Sequence, residues 1–437
     1  MTHRVAVIGG GSSGLACIKC CLDEGLEPVC FESSDDIGGL WRFKENPEPD
    51  RASIYHSLII NTSKERMCFS DFPIPAHFPN FMHNSLIMDY FRMYADHFQL
   101  TKHIRFNTKV LQVKQRSDFS HSGQWDVETE DKDGKKDKHI FDAVLICIGH
   151  HCHPNMPLHD FPGINTFTGR YFHSRDYKTP EEWRNKKAIV VGIGNSGGDI
   201  AVELSRVTKQ VYLSTRRGAW IKYRMSVRGF PLDMLTSRVQ SSLLQLLPFG
   251  LQCSMAENQM NQRIDHSLYN LKPKHRFFNQ HPTVNDELPN RFLLQVFATG
   301  YKFSFPFLTS QVVSVSENKA SLYKYVFPPE LDRPTLAIIG LVQPLGSTIP
   351  VSEMQARWAT RVFKGQSVST MAKRYVTSQR HTIQVDYVAY MDEIAELVGV
   401  KPALSRLLLT DPRLGLNVMF GPTTPSHSYF CEKVRRK

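Results

Sequence analysis

The sequence predicts an α/β protein made of two doubly wound domains, the second inserted into the first. Three observations predict it. A short β-type run, Arg4 to Ile8, leads into a glycine loop and then a helical pattern from Ser13 to Glu24. The same order recurs far downstream: Ala188 to Val191 reads as a strand, Gly192 to Gly198 as a loop, and Asp199 to Val207 as a helix. A long insert separates these two βαβ units, and from Phe297 onward the chain reads as a return to the first domain. The predicted division is therefore 1–156 and 297–437 for one domain in two parts, with 157–296 as the inserted domain.

The elements follow in order. Gly25 ends the first helix, and Pro28 to Phe31 restarts as a strand. Val110 to Val113, Gln124 to Glu128 and Ala143 to Ile148 read as further strands. Pro154 to Pro162 has the composition of a linker. Gln210 to Ser214 is the strand that closes the second βαβ unit, and the C-terminal part ends in mixed helical segments.

Composition narrows the class. The 437 residues are 41% hydrophobic and 22% charged, which suits a folded protein with a large core. The net charge of +11 invites a nucleic-acid reading. The dense basic runs are short, as at Lys135-Lys136, Lys186-Lys187 and Arg216-Arg217, and none is interleaved with aromatic residues as a single-strand groove requires. No nucleic-acid partner is expected. Nine cysteines are an odd count. Cys17, Cys20 and Cys21 fall within one helical stretch, where they read as small apolar residues in a reducing setting, not as a redox pair. The chain starts Met-Thr-His-Arg and runs straight into a strand, which leaves no room for a signal peptide, and no run of 18 apolar residues is long enough to span a bilayer. Gly149-His150-His151-Cys152-His153 could ligate a metal, but adjacent ligands close a tetrahedron poorly and a loop is the better reading. No metal site is expected.

The first loop, Gly9-Gly10-Gly11-Ser12-Ser13-Gly14, carries G-x-G-x-x-G at Gly9, Gly11 and Gly14. Such a loop turns tightly, lets backbone N–H groups reach a pyrophosphate and packs a helix close to its strand. The context is that of a Rossmann dinucleotide site: a strand before, a helix after, and Glu32 at the end of the next strand, about 20 residues on, where an acid accepts a ribose hydroxyl. That acid repels a 2′-phosphate, so the site suits FAD or NAD, not NADP. Gly38-Gly39-Leu40-Trp41 follows, a place for close backbone approach with Leu40 and Trp41 as walls.

The second loop, Gly192-Ile193-Gly194-Asn195-Ser196-Gly197-Gly198, repeats the pattern at Gly192, Gly194 and Gly197. Its acidic position is replaced: Leu213-Ser214-Thr215-Arg216-Arg217 ends the strand in arginines. A guanidinium grips a 2′-phosphate and stacks on adenine, so Arg216 marks an NADPH site. One acid-tipped cradle and one arginine-tipped cradle in one chain read as a flavin reduced by NADPH.

On these residues and four further motifs the sequence resembles the flavin-containing monooxygenases of the dimethylaniline N-oxide-forming type, over almost its whole length. The F-x-G-x-x-x-H-x-x-x-Y fingerprint is Phe167, Gly169, His173 and Tyr177, just before the second loop. The linker motif is Ala298-Thr299-Gly300, with a second copy at Cys147-Ile148-Gly149 in which Ile replaces the usual Thr, and Gly39-Leu40-Trp41 also matches. The resemblance implies the cofactors FAD and NADP(H), with O2 and a small lipophilic molecule as substrates. NADPH reduces the flavin, oxygen adds at its C4a carbon, and retained NADP shields the resulting hydroperoxide until an amine, a sulfide or a ketone (in a Baeyer–Villiger reaction) takes up the oxygen. It assigns Asn61, flanked by Ile60 and Thr62, to the flavin side, and His281 to the nicotinamide side. From residue patterning alone, Asn61 reads as a turn residue after an apolar run. The resemblance also implies the cytosolic face of the endoplasmic reticulum membrane, with a cytoplasmic location as the alternative for a chain lacking the hydrophobic tail.

The sequence departs from that pattern in length. Between Asn285–Arg291 and Phe297 the family carries a much longer segment with several strands, and here only Phe292 to Val296 bridge it. A smaller gap follows Gly365, and the chain stops at Lys437 without an apolar anchor. An alternative reading is therefore a nucleotide-binding remnant that does not turn over. A flavin disulfide reductase is disfavoured, because no cysteine pair follows the first βαβ unit at suitable spacing.

Overall fold

The computed structural model describes residues 3–49, 51–226, 228–268, 271–279, 282–285, 296–344, 346–366 and 382–425. Val5, Ala6 and Val7 are fully buried on a strand, Arg4–Ile8, that is covered on both faces, as a central parallel strand requires. It pairs in parallel with Glu27–Phe31 on one side and Ala143–Ile146 on the other, and Leu336–Ile338 and Ile104–Arg105 complete a five-stranded all-parallel sheet. The helix Ser12–Asp23 crosses between the first two strands, burying small residues such as Gly14, Ala16 and Cys17 against them. It ends where expected: Gly25, at φ +68°, lets Leu26 N–H reach Cys21 O at 2.9 Å and closes the last turn. The helix Thr348–Phe363, nearly all buried, packs against the first one. An antiparallel meander of Thr108–Gln115, Trp125–Asp131 and Lys136–Phe141 flanks this domain.

The inserted domain holds a second parallel sheet in the order Gln210–Ser214, Lys187–Val191, Val296–Phe297, Phe172–His173. Phe297, the expected first residue of the return, is still part of this sheet, opposite Val191 and His173. The bridging residues 292–295 lie outside the described residues, yet the chain beyond them supplies the inner strand of the sheet. The crossings between the domains run side by side. His153–Pro154, at the start of the expected linker, pairs antiparallel with Tyr301–Lys302, and Thr299 Oγ1 donates to Asn155 O at 2.5 Å.

The second helix corrects the sequence reading. It spans Asn195–Ser205, beginning four residues before the expected Asp199 and taking in Gly197 and Gly198. Glycine is a poor helix former, but here close packing outweighs propensity, because a Cβ on Gly197 would stand 2.2 Å from Gly192 O.

Candidate functional site

The two glycine loops are built alike. Gly9 and Gly192 both adopt φ near +105°, at the turn from strand to helix. Gly9 N–H donates to Phe31 O and Gly192 N–H to Ser214 O, each at 2.9 Å. A Cβ on Gly14 would lie 1.9 Å from Gly9 O, as one on Gly197 would press on Gly192 O. The carbonyl of Cys147 backs the first turn and that of Ala298 the second, at 2.7 and 2.4 Å from where a Cβ would sit on Gly9 and Gly192. The Cys147-Ile148-Gly149 and Ala298-Thr299-Gly300 motifs thus do the same work in the two domains. Both helices start from a glycine, Gly11 or Gly194, that offers no side-chain cap. Among the described residues the first-turn N–H groups of Ser12, Ser13 and Gly14, and of Asn195, Ser196 and Gly197, therefore have no side-chain acceptor at the positive end of the helix, the arrangement that binds a pyrophosphate.

Around the first loop, Glu32 is buried, with Oε2 accepting from Gly10 N–H at 2.6 Å and Oε1 accepting from Ser34 N–H and Oγ–H at 2.9 and 2.6 Å. Oε2, with one donor, keeps lone-pair capacity for a hydroxyl. Gly39 opens a single helical turn, Gly39–Trp41, whose backbone lies on Gly11, where a Cβ on Gly39 would come within 3.2 Å of Gly11 Cα. Leu40 is half-buried in that turn, and Trp41 alone of the two faces the cleft. Ser13 Oγ donates to Ser352 Oγ at 3.0 Å, tying the loop to the Thr348–Phe363 helix. Around the second loop, Asn195 Oδ1 accepts from Val284 N–H at 2.9 Å. By the matching strand-end hydrogen bonds, Thr215 occupies the position in the second cradle that Glu32 occupies in the first. Arg216 is one residue further on and exposed.

A cleft of about 180 Å³ borders the second loop and Trp41, which follows the first cradle. Trp41 and Ile60-Asn61-Thr62 line one side, Asn195 and Ser196 the other, and Gly346-Ser347-Thr348, at the start of the Thr348–Phe363 helix, close it. Ser347 Oγ is buried with no hydrogen-bond partner among the described residues. The structure thus brings Asn61 into one cleft with Trp41 and with Asn195 and Ser196 of the second loop, a placement its local sequence does not announce. His281 lies outside the described residues. Asn61 Oδ1 accepts from Arg224 Nη2 at 2.7 Å, and Ile60 O accepts from Arg224 Nε at 3.2 Å. Asp199, which also lines the cleft, stands 4.0 Å from Arg224 Nη2 and accepts from Tyr55 OH at 2.5 Å and from Asn285 Nδ2 at 3.0 Å. Burial, with Asp199 beside it, holds the Tyr55 phenol well above its usual range. Sequence reasoning missed Arg224 and Tyr55, which carry no motif.

Of the F-x-G-x-x-x-H-x-x-x-Y residues, His173 and Tyr177 act as braces, and none of the four lines the cleft. His173 is buried, its Nδ1 accepts from Arg175 N–H at 3.1 Å, and its Nε2 therefore carries the proton donated to Gly300 O at 2.9 Å. Burial lowers its pKa. Tyr177 OH donates to Glu203 Oε2 at 2.9 Å. Among the described residues no group of three His, Cys, Asp or Glu is placed to hold a metal, and no helix is long and apolar enough to cross a membrane. The described cysteines are free thiols.

The glycine cradles, the buried acid and the uncapped helix starts fit two dinucleotides, and the comparisons agree. The model of the flavin-binding monooxygenase-like family matches residues 2–296 and 293–432, and the chain belongs to that family. The two matches meet at 293–296, where the sequence is shortened. Flavin-containing monooxygenase 5 of Oryctolagus cuniculus is 57% identical over 470 residues, covering 97% of this chain and 88% of the relative. That span exceeds the 437 residues here, so the relative has internal residues this chain lacks. Dimethylaniline monooxygenase [N-oxide-forming] 2 of Cavia porcellus is 49% identical, over 97% of this chain and 87% of the relative. Among solved structures, the S-allyl-L-cysteine S-oxygenase of Allium sativum superposes with a TM-score of 0.66 at 23% identity, covering 100% of this chain and 97% of that one. OTEMO in complex with FAD and NADP gives 0.61 at 15% identity, over 91% and 98%. These two show the shared fold. The protein is an FAD-dependent, NADPH-using flavin monooxygenase with FAD and NADP(H) as cofactors, and nothing in the comparisons favours a remnant without turnover.

Proposed function

We propose that the chain oxygenates soft nucleophiles, amines and sulfides, and ketones in the Baeyer–Villiger sense, with FAD held by Gly9, Gly10, Gly11, Ser12, Ser13, Gly14, Glu32, Gly39, Leu40 and Trp41, and NADP(H) by Gly192, Gly194, Asn195, Ser196, Gly197, Gly198 and Arg216. The domains divide as 1–156 with 298–437, and 157–297, the expected boundary moving by one residue because Phe297 pairs within the second sheet. The observation that carries this reading is the single cleft that Trp41, Asn61, Asn195 and Ser196 line together, since a hydride must pass between the two cofactors within one enclosure. The chemistry supplied by bound FAD is two-electron reduction by NADPH followed by activation of O2.

The protein's own part is to bind, orient and keep out water. Ile60, Leu58 and Met67 give the cleft apolar walls. Asn61 offers an amide N–H to the reacting region, flanked by Ile60 and Thr62. The placement of His281 beside the nicotinamide rests on the resemblance alone. Arg216 selects the 2′-phosphate. Arg216→Glu is expected to lower kcat/KM for NADPH at least tenfold while NADH is used as well as before or better. Unchanged preference for NADPH in that variant would overturn the assignment of the second cradle.

We also infer attachment to a membrane surface of the endoplasmic reticulum type. The helices Arg238–Gln245 and Phe249–Asn261 leave Leu243, Leu246, Phe249, Leu251 and Met255 exposed, Leu246 at 81%. The helix Pro412–Phe420, packed on the first of them, adds Leu416 and Phe420. An apolar surface of this extent, on a chain of net charge +11, suits an anionic lipid interface.

A further inference from the structure

We propose that Arg224 is a positioning residue that fixes the Asn61 amide, held in turn by Asp199 of the second nucleotide helix; this rests on the reading of Asn61 given above. Arg224 follows the short strand Ile221–Lys222 in the inserted domain, and its side chain is 11% exposed. A guanidinium has donors and no acceptor, so the Asn61 atom it meets at 2.7 Å is the oxygen, whatever side-chain flip is considered. That contact leaves the two Nδ2 hydrogens, which lie in the amide plane, at the opposite edge of the amide. Among the described residues Nδ2 makes no hydrogen bond, and Asn61 lines the cleft. Free asparagine presents oxygen or nitrogen with little preference. With Arg224 in place it presents only a donor, the polarity needed where negative charge develops on a reacting oxygen.

The grip has two points, Nη2 to Asn61 and Nε to Ile60 O, so the fork fixes backbone and side chain together. Lysine cannot reproduce it. Asp199, four residues along the helix that starts at Asn195, places its carboxylate 4.0 Å from Nη2, at the outer range of an ion pair. Asp199 is itself fixed by Tyr55 of the first domain and by Asn285 of the second. The donor aimed at the flavin side is therefore set by residues that move with the NADP(H) cradle.

The test is a double-mutant cycle on the FAD-loaded full chain with Asn61→Ala, Arg224→Met and the pair, and with Arg224→Lys as a second variant that keeps the charge. Four quantities are read: the FAD to protein ratio, the thermal midpoint of the FAD-free protein, the Kd for NADP+ by calorimetry, and the fraction of NADPH electrons recovered in oxygenated product instead of hydrogen peroxide. Arg224→Met and Arg224→Lys should keep FAD and the thermal midpoint, change the NADP+ Kd less than about threefold, and cut coupled turnover about tenfold or more. On the Asn61→Ala background, Arg224→Met should cost less than about twofold more. Equal losses on both backgrounds would overturn the proposal, as would a tenfold weaker NADP+ Kd with coupling intact. Unimpaired coupling in Asn61→Ala alone, with FAD bound, would instead remove the role given to Asn61.

Discussion

Gly194→Ala separates what the second loop does for the fold from what it does for its ligand. Gly194 has φ −80° and ψ −178°, extended backbone open to any residue, and a Cβ built there meets no atom within 4 Å. The folded protein should therefore accept alanine at no cost, or gain about 0.4–1 kcal/mol through a less flexible unfolded chain. Yet Gly194 caps the Asn195–Ser205 helix, where a pyrophosphate must approach the backbone. A methyl group in that approach costs about 1–3 kcal/mol of overpacking, which raises the Kd for NADPH about 5- to 150-fold. Gly197→Ala is the contrast, since its Cβ would stand 2.2 Å from Gly192 O, inside the 3.0 Å that real Cβ contacts respect, so the helix start itself must shift. The assay is the rate of flavin reduction against NADPH concentration, with dithionite reduction, FAD content and thermal midpoint as companions. Gly194→Ala should stay yellow and as heat-stable as the parent while its NADPH dependence moves to higher concentration. Gly197→Ala should lose stability as well. Parent-like NADPH reduction in Gly194→Ala would refute the idea that a pyrophosphate sits on this backbone, and loss of FAD from it would refute the allocation of the two loops.

Three further outcomes are expected. Glu32→Gln should lower stability by about 1–3 kcal/mol and reduce FAD content, because Gly10 N–H and both Ser34 donors all point at the carboxylate and an amide leaves one of its N–H groups facing a donor; thermal unfolding and flavin absorbance measure it, and a parent-like protein would contradict it. Burial pushes the His150 imidazole down to about 4, against 6.5 when exposed. Its contribution is therefore complete above pH 6.5 and disappears as pH falls toward 4, so the thermal midpoint of His150→Gln should fall less steeply than the parent's between pH 7 and 4.5, and equal slopes would count against this. Leu246→Asp with Phe249→Asp should weaken sedimentation with phosphatidylserine-containing vesicles at least fivefold while soluble turnover persists, and unchanged partitioning would dismiss this face as the contact.

Much of the fold was legible because its signals are local and duplicated. Strand, glycine turn and helix follow one another within about 20 residues in each domain, and steric demands tie glycine to those places whatever the rest of the chain does. Boundaries were less legible where packing overrode propensity, so Gly197 and Gly198 read as loop although the helix already contains them. The arginine-for-acid exchange was visible as a type of residue but not as a position: only the strand-end hydrogen bonds show that Thr215 takes in the second cradle the place of Glu32 in the first, and that Arg216 is one step beyond.

The Arg224 and Asp199 contacts were not legible at all, since residues 163 and 138 positions from Asn61 meet it, directly or through one another, only after two domains close. The shortened segment shows the other side of the same physics. Parallel strands are specified by neighbours across the sheet, so a chain that loses many residues before Val296 can still deliver Val296–Phe297 between Lys187–Val191 and Phe172–His173. Once that strand is seated, Ala298 O falls against Gly192 and the second cradle is complete. What the cradle requires of that part of the chain is thus a strand end in the right place, and Val296–Phe297 supply it.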